Sequence, residues 1–286
     1  MPMHNASATI RAAARTTLRS MPRDSELVVV DDASTDAGAE VLATVEDPRV
    51  RLLETPENLG VAGAINHGLE AVDCELLGRM DADDICMPWR FARQMQRVGA
   101  HCDLSFGQVL TFRRTPPRMG MFAPVPISAA AMPFHLVLFN PVAHPTMLAT
   151  AQVIRDAGGW RKVPAEDYEL WIRLVTAGCR MERLGLPLVA LRAHASQVTG
   201  SADWKKRPPL DGDLAPYQAL CRAVVGQDPT WFPNPRRIPQ PRRDLLAMAD
   251  SIRRSSTHLP THERGILERK LRGAVALAVE PSGSTS

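Results

Sequence analysis

Residues 25–36 read SELVVVDDASTD and residues 75–84 read ELLGRMDADD. Each is a short apolar run that ends on crowded carboxylates. An unbroken apolar run of this length, rich in β-branched residues, reads as a strand buried on both faces. Working outward from the first, Ser34, Thr35 or Asp36 can cap a helix carrying Val41, Leu42 and Val45, and Pro48 stops it. Val50 to Leu53 reads as a second strand. Asn58-Leu59-Gly60 is a turn signal, and Ala62 to Val72 carries a helical period. Glu75 to Met80 is the next strand, and Pro88 opens a helix to about Val98. This alternation predicts an α/β fold: a mostly parallel sheet flanked by helices. Ligands bind such sheets at the carboxyl ends of strands, where both acidic clusters fall.

The chain of 286 residues is 45% hydrophobic and 23% charged, enough apolar content to build a core. Lys plus Arg number 34 against 31 Asp plus Glu, a formal charge of +3. That balance argues against nucleic acid as the main partner. No apolar run approaches the ~20 residues of a membrane span. Residues 1–26 lack the apolar centre of a signal peptide. The five cysteines (Cys74, Cys86, Cys102, Cys179, Cys221) are scattered with no Cys-x-x-Cys pair. A disulfide scaffold or structural zinc is therefore not expected, and the default compartment is a reducing cytoplasm.

Residues 115–133 read as a loop or crossover, and a second structured block runs from Asn140 to His194. Beyond Ser201 the character changes to linker-like and Pro/Arg-rich stretches between helical segments at Ala215–Val225, Asp244–Arg254 and His262–Val279, with a polar tail expected to be disordered. We therefore expect one domain over 1–204 and a linker with a helical C-terminal extension over 205–286. Arg236, Arg237, Arg242 and Arg243 offer peripheral membrane docking, at the inner face of the membrane, although a solvated basic linker is the simpler reading.

Asp81, Asp83 and Asp84 place three carboxylates within four residues. Their repulsion is relieved by solvent or by a divalent cation, and oxygen-only donors suit Mg²⁺ or Mn²⁺. A solvated turn that caps the next helix is the plain alternative. Glu166 and Asp167 form a further acidic pair, at the start of a segment with Leu170, Ile172, Leu174 and Val175. Anions at a helix N-terminus gain ~0.3–1 kcal/mol at exposed sites.

Five segments occur in a recognisable order: SELVVVDDASTD, ENLGVAGAINHGLEAV (57–72), ELLGRMDADDICMPWRFARQMQ (75–96), NPVAHPTMLATAQVIRDAGGW (140–160) and AEDYELWIRLVTAG (165–178), followed by LRAHASQVT (191–199). Together they resemble the inverting family 2 glycosyltransferases of GT-A fold, a Rossmann-like nucleotide-diphospho-sugar transferase architecture. The resemblance spans about residues 1–200. It implies metal-dependent, inverting transfer from a nucleoside diphosphate sugar to an acceptor hydroxyl on a sugar or lipid-linked sugar, in polysaccharide, cell-envelope or glycoconjugate synthesis. It implies that Asp31 or Asp32 contacts the base or ribose, and that Asp81 and Asp83 contact the donor. Asp83, Asp84 and His194 are its metal candidates. Asp167 is its general base, with Glu166 as the alternative. His144 and Trp160 are weaker candidates for the acceptor pocket. Two rival readings are a catalytically silent glycosyltransferase-like binding module and a metal-dependent nucleotidyltransferase.

The pattern departs from the family at its start. Residues 1–5 read as the end of the usual opening motif, with its strand missing, and an upstream start is the favoured explanation. An absent interior strand would leave buried backbone groups unpaired at ~1–3 kcal/mol each.

Overall fold

The computed structural model of the chain describes residues 1–112, 120–121, 125–193, 213–229 and 242–276. In chain order the elements begin with β1 (Pro2–Met3), α1 (Ile10–Ser20), β2 (Leu27–Asp31), α2 (Gly38–Ala43), β3 (Val50–Glu54) and α3 (Gly60–Glu70). Next come β4 (Leu76–Gly78), β5 (Ile85–Cys86), α4 (Arg90–Met95), β6 (Leu104–Phe112), β7 (Gly120–Met121) and α5 (Met132–Leu138). The remainder is β8 (Leu148–Thr150), α6 (Ala151–Asp156), α7 (Glu166–Thr176), β9 (Met181–Arg192), α8 (Ala215–Val225), α9 (Arg242–Ser255) and α10 (Thr261–Ala276).

The chain divides into two compact units. The first comprises residues 1–126, 142–162 and 179–197; the second comprises 127–141, 163–178 and 198–286. The last boundary between them falls at 197/198, and two earlier segments, 127–141 and 163–178, group with the C-terminal part of the chain.

In the first unit, β1, β2 and β3 pair in parallel, with Pro2 opposite Val30 and Leu27 opposite Val50. The strand that looked missing is present as a short piece. Val30 N–H donates to Met1 O at 2.9 Å and Asp32 N–H to Met3 O at 2.8 Å, while Met1 N donates to Val28 O at 2.8 Å. These bonds pair the edge of β2 expected to be bare, so the anticipated cost is not incurred there. A second set of strands runs in the order β4-β8-β6-β9-β5, with β7 paired to β6. Here β6 and β9 are parallel, and β8 and β5 add antiparallel neighbours. Neither β6 nor β9 was legible as a strand from the sequence, nor was α1 as a helix.

α1 forms because Ile10, Ala13, Ala14, Thr17 and Leu18 recur on one buried face while Arg11, Arg15 and Arg19 fall on the exposed one. That face packs with Leu27 and Val29 of β2 and Leu42 of α2. A second cluster, of Met80, Cys86, Phe91, Val98, Leu148 and Val189, lies around the chain that enters and leaves the acidic turn.

The second unit is helical among its described residues. Trp171 and Leu170 of α7 are fully buried, as a packing role for Trp171 requires. The Tyr168 hydroxyl donates to Leu136 O, and the Tyr217 hydroxyl donates to Val137 O at 2.7 Å, so α7 and α8 both anchor on α5. Glu263 of α10 accepts from Ser128 N–H at 3.1 Å and from Ser128 Oγ at 2.9 Å. No described helix is long and apolar enough to cross a membrane.

Tyr217 is fully buried, and removing its hydroxyl leaves a buried carbonyl short of a donor. Tyr217→Phe should therefore cost ~1–3 kcal/mol. Urea unfolding should show a lower midpoint at unchanged slope, and an unchanged midpoint would show that this bond does not anchor α8.

Candidate active site

The residues after β2 divide into a structural and an available carboxylate. Asp32 is buried, and its carboxylate is fully engaged. Its Oδ1 accepts from Leu59 N–H at 2.7 Å and Thr55 Oγ1 at 3.0 Å, and its Oδ2 accepts from Gly60 N–H at 2.9 Å. It thus satisfies the first amides of α3, where the helix dipole also favours an anion. Gly60 has φ +74°, a conformation that explains glycine in the Asn-Leu-Gly turn. The Asp31 carboxylate accepts from Ser34 N–H, at 3.0 Å, through Oδ1, while its backbone carbonyl accepts from Thr55 N–H at 2.9 Å. Among the described residues its Oδ2 has no hydrogen-bond partner. Ala33, between them and Ser34, has φ +55°, a strained turn conformation for a residue with a Cβ. Of the pair expected to contact nucleotide, the geometry leaves Asp31 as the one with a free oxygen.

The acidic turn follows β4. One oxygen from each of Asp81, Asp83 and Asp84 lies within 4.8 Å of the others. Three hard oxygen donors at this spacing fit a Mg²⁺ or Mn²⁺ ion, with water and phosphate oxygens completing the shell. Asp81 forms an ion pair with Arg79, whose Nη1 also donates to Met80 O at 2.6 Å. Asp84 is buried, and its Oδ1 accepts from Arg192 N–H at 2.8 Å. Arg192 Nε donates to Asp83 O at 2.9 Å, and its guanidinium lies 4.8 Å from the centre of the Phe112 ring. The end of β9 is thus tied to the turn by Arg192, a role that its place in the Arg-x-His segment did not disclose. His194 lies outside the described residues.

Burial and then the neighbouring Asp81 charge push the Asp84 carboxyl up to about 8, against the Arg192 amide, which favours the anion. The folded chain then holds a proton that an unfolded carboxyl releases near pH 4.

In the second unit, Glu166 and Asp167 open α7 as expected. Asp167 Oδ1 accepts from Tyr168 N–H at 2.7 Å, and Oδ2 accepts from Asn140 Nδ2 at 2.8 Å. Asn140 begins the NPVAHPT segment, whose residue types do not disclose that its amide donates to the Asp167 carboxylate. Glu169 is buried and accepts from Arg173 Nε at 2.7 Å, one helical turn on.

His144 and Trp160 do come together, but with each other. Their rings stack at 5.7 Å and 28°, and both side chains are buried. Asn66 of α3 clamps the Trp160 backbone, accepting from its N–H at 2.9 Å and donating to its O at 2.7 Å. A Cβ on Gly159 would stand 2.4 Å from Asn66 Oδ1, which accounts for glycine beside the clamp. The two rings thus pack against each other, and both side chains are buried in the first unit.

Residues 1–126 match the family described as Glycosyl transferase family 2. The amylovoran biosynthesis glycosyltransferase AmsE of Erwinia amylovora is 26% identical over 182 residues, covering 63% of this chain and 68% of AmsE. Two solved structures share the fold. TarS of S. aureus (residues 1–349), in complex with UDP-GlcNAc, superposes with a TM-score of 0.60 at 14% identity, over 96% of this chain and 87% of TarS. The mannosyltransferase PcManGT of Pyrobaculum calidifontis, in complex with GDP-Man and Mn²⁺, gives 0.53 at 18% identity, over 96% and 79%.

The Asp84 shift has a measurable sign. Between pH 4 and pH 8 the unfolded chain loses the Asp84 proton before the folded chain does, so the group's contribution to stability falls as pH rises through that window. In chelator, Asp84→Asn should gain thermal stability relative to the parent chain across the same range. A cation held by Asp84 would displace that proton, and in that case Mn²⁺ affinity by calorimetry should increase from pH 6 to pH 8. A pH-independent affinity would mean that Asp84 releases no proton on binding.

Proposed function

We propose that this chain, a family 2 glycosyltransferase of GT-A fold, moves a glycosyl unit from a nucleoside diphosphate sugar to an acceptor hydroxyl with inversion at the anomeric carbon, in polysaccharide or cell-envelope synthesis. The observation that carries the reading is the Asp81/Asp83/Asp84 cluster, three carboxylates converging after a sheet strand. The family match and the AmsE relative support the transferase class and the biosynthetic setting. The nucleotide sugars in the two structural neighbours, one with Mn²⁺, support the donor class and a divalent cation.

Each residue then has a physical task. Asp31, with its uncommitted oxygen, accepts hydrogen bonds from the base or ribose, while Asp32 keeps the α3 entry in place. Asp81 contributes to the ribose end, and Arg79 holds it. Asp83 and Asp84 hold Mg²⁺ or Mn²⁺, which when bound offsets negative charge on the departing diphosphate. An alcohol is a poor nucleophile at neutral pH, so attack needs a base that takes its proton as the new bond forms. Asp167 fills that role, with Glu166 the nearby alternative. Asn140 keeps Asp167 Oδ2 in one orientation, and the Tyr168 amide keeps Oδ1 in another. Inversion follows from a single displacement, and no covalent enzyme nucleophile takes part.

Asp167→Asn keeps the size of the side chain and removes its basicity. Transfer should fall by ~10²–10⁴-fold, while calorimetric affinity for the nucleotide sugar stays within about twofold of the parent. Retained turnover would remove Asp167 from the base role and turn attention to Glu166→Gln. Asp83→Asn combined with Asp84→Asn should abolish the Mn²⁺ dependence of nucleotide binding, and an affinity still raised by Mn²⁺ would defeat the metal assignment.

A further inference from the structure

One fully buried arginine in the first unit is used by none of these steps. Arg90 opens α4 and has no solvent exposure, yet it forms no ion pair among the described residues. Its hydrogen bonds go elsewhere. Nη2 donates to Arg79 O at 2.6 Å and to Met147 O at 3.0 Å; Nη1 approaches Met80 Sδ at 3.3 Å; Nε donates to Gln94 Oε1 at 3.2 Å. The guanidinium carbon also lies 4.7 Å from the centre of the Phe91 ring. Gln94, one turn along the helix, is equally committed: its Nε2 donates to Ser105 O at 2.6 Å and to Thr146 O at 2.8 Å.

The place of these contacts in the sheet gives them meaning. β4 pairs with β8 from Leu76 opposite Thr150 to Gly78 opposite Leu148, and the ladder continues to Arg79 N–H on Met147 O at 3.0 Å. There the strand pairing stops and the turn toward Asp81 begins. Arg90 spans that exit, bridging Arg79 O to Met147 O and reaching the Met80 side chain. An apolar residue could fill the same volume without the desolvation penalty of a buried guanidinium. What it could not do is donate at once to Arg79 O and Met147 O through Nη2, to Gln94 Oε1 through Nε and to Met80 Sδ through Nη1, a planar spread of donors that the single ammonium of lysine lacks.

We propose that Arg90, oriented by Gln94, is a positioning residue for the acidic turn: it fixes the Arg79 carbonyl and the Met80 side chain, and thereby the direction in which Asp81, Asp83 and Asp84 present their oxygens to a divalent cation. The inference rests on the cation reading of that cluster given above. Arg90 itself touches neither donor nor cation.

The test uses the full chain and Mn²⁺ alone, followed by electron paramagnetic resonance, with circular dichroism and thermal unfolding in parallel. Arg90→Lys keeps the charge and loses the fork. It should remain folded but bind Mn²⁺ at least about tenfold more weakly, as for other groups that orient metal ligands. Gln94→Glu keeps an acceptor for Arg90 Nε and gives up the donors to Ser105 and Thr146. It should lose thermal stability while Mn²⁺ affinity stays within about twofold of the parent. A folded Arg90→Lys with the parent's Mn²⁺ affinity overturns the proposal, as does an equal loss in both variants, which would mark a merely structural role. If Arg90→Lys does not fold, Met80→Leu removes only the sulfur contact and should weaken Mn²⁺ binding measurably, by less than the ~10–100-fold that loss of a full outer-shell partner costs; no change overturns the proposal. Failure of the parent chain to bind Mn²⁺ at all would instead defeat the cation reading, and this inference with it.

Discussion

Three carboxylates within four residues repel one another, and the chain around residues 81–84 is arranged to keep them together. Arg79 pairs with Asp81, the Arg192 backbone and side chain hold Asp84 and Asp83, and Arg90 closes the strand exit behind them. Arg79 and Arg90 flank the turn in sequence, while Arg192, at the end of β9, braces it from more than 100 residues away. Burial raises the cost of the charge at Asp84 enough to push its carboxyl up to about 8. Such crowding is relieved by protonation, by solvent or by a divalent cation.

Other acidic positions share their work in a similar way. Asp31 and Asp32 are adjacent in sequence, yet Asp32 spends both oxygens on the amides that open α3 and on Thr55, while Asp31 commits one oxygen to a turn. Alternation along the strand end sends neighbouring side chains in different directions, which is how one pair supplies both a clamp and an available group. At α7, Asn140 and the Tyr168 amide likewise bind the two oxygens of Asp167 separately. A carboxylate held at both oxygens loses little further freedom when it meets its proton donor, which is what proposed catalysis by positioning requires.

The C-terminal helices are part of a folding unit rather than an appendage. Two tyrosine hydroxyls hydrogen-bonded to successive carbonyls, Leu136 and Val137, hold α7 and α8 against α5, and Glu263 of α10 ties down Ser128 just before it. The segment that contributes Asn140 therefore leaves a helix that α8 helps to fix. Sequence from 205 onward, outside the resemblance to the family, thus bears on the position of a residue that orients the proposed base.

The N-terminal strand and helix order, and the acidic ends of β2 and β4, were legible from residues 25–96, because continuous apolar runs and helical periods are local properties. The family resemblance added Glu166 and Asp167 in their order along the chain. The long β6–β9 pairing was not legible, since a strand whose neighbours lie some 80 residues away announces itself only by packing. The stacking of His144 on Trp160 was not legible either: a tryptophan beside two glycines looks the same in sequence whether it faces solvent or a histidine ring. The primary structure by itself determined which carboxylates exist and where strands end near them. Which oxygen remains available, which arginine grips which carbonyl and which amide orients Asp167 were decided only by tertiary structure, because hydrogen bonds between distant segments depend on distances that no local pattern encodes.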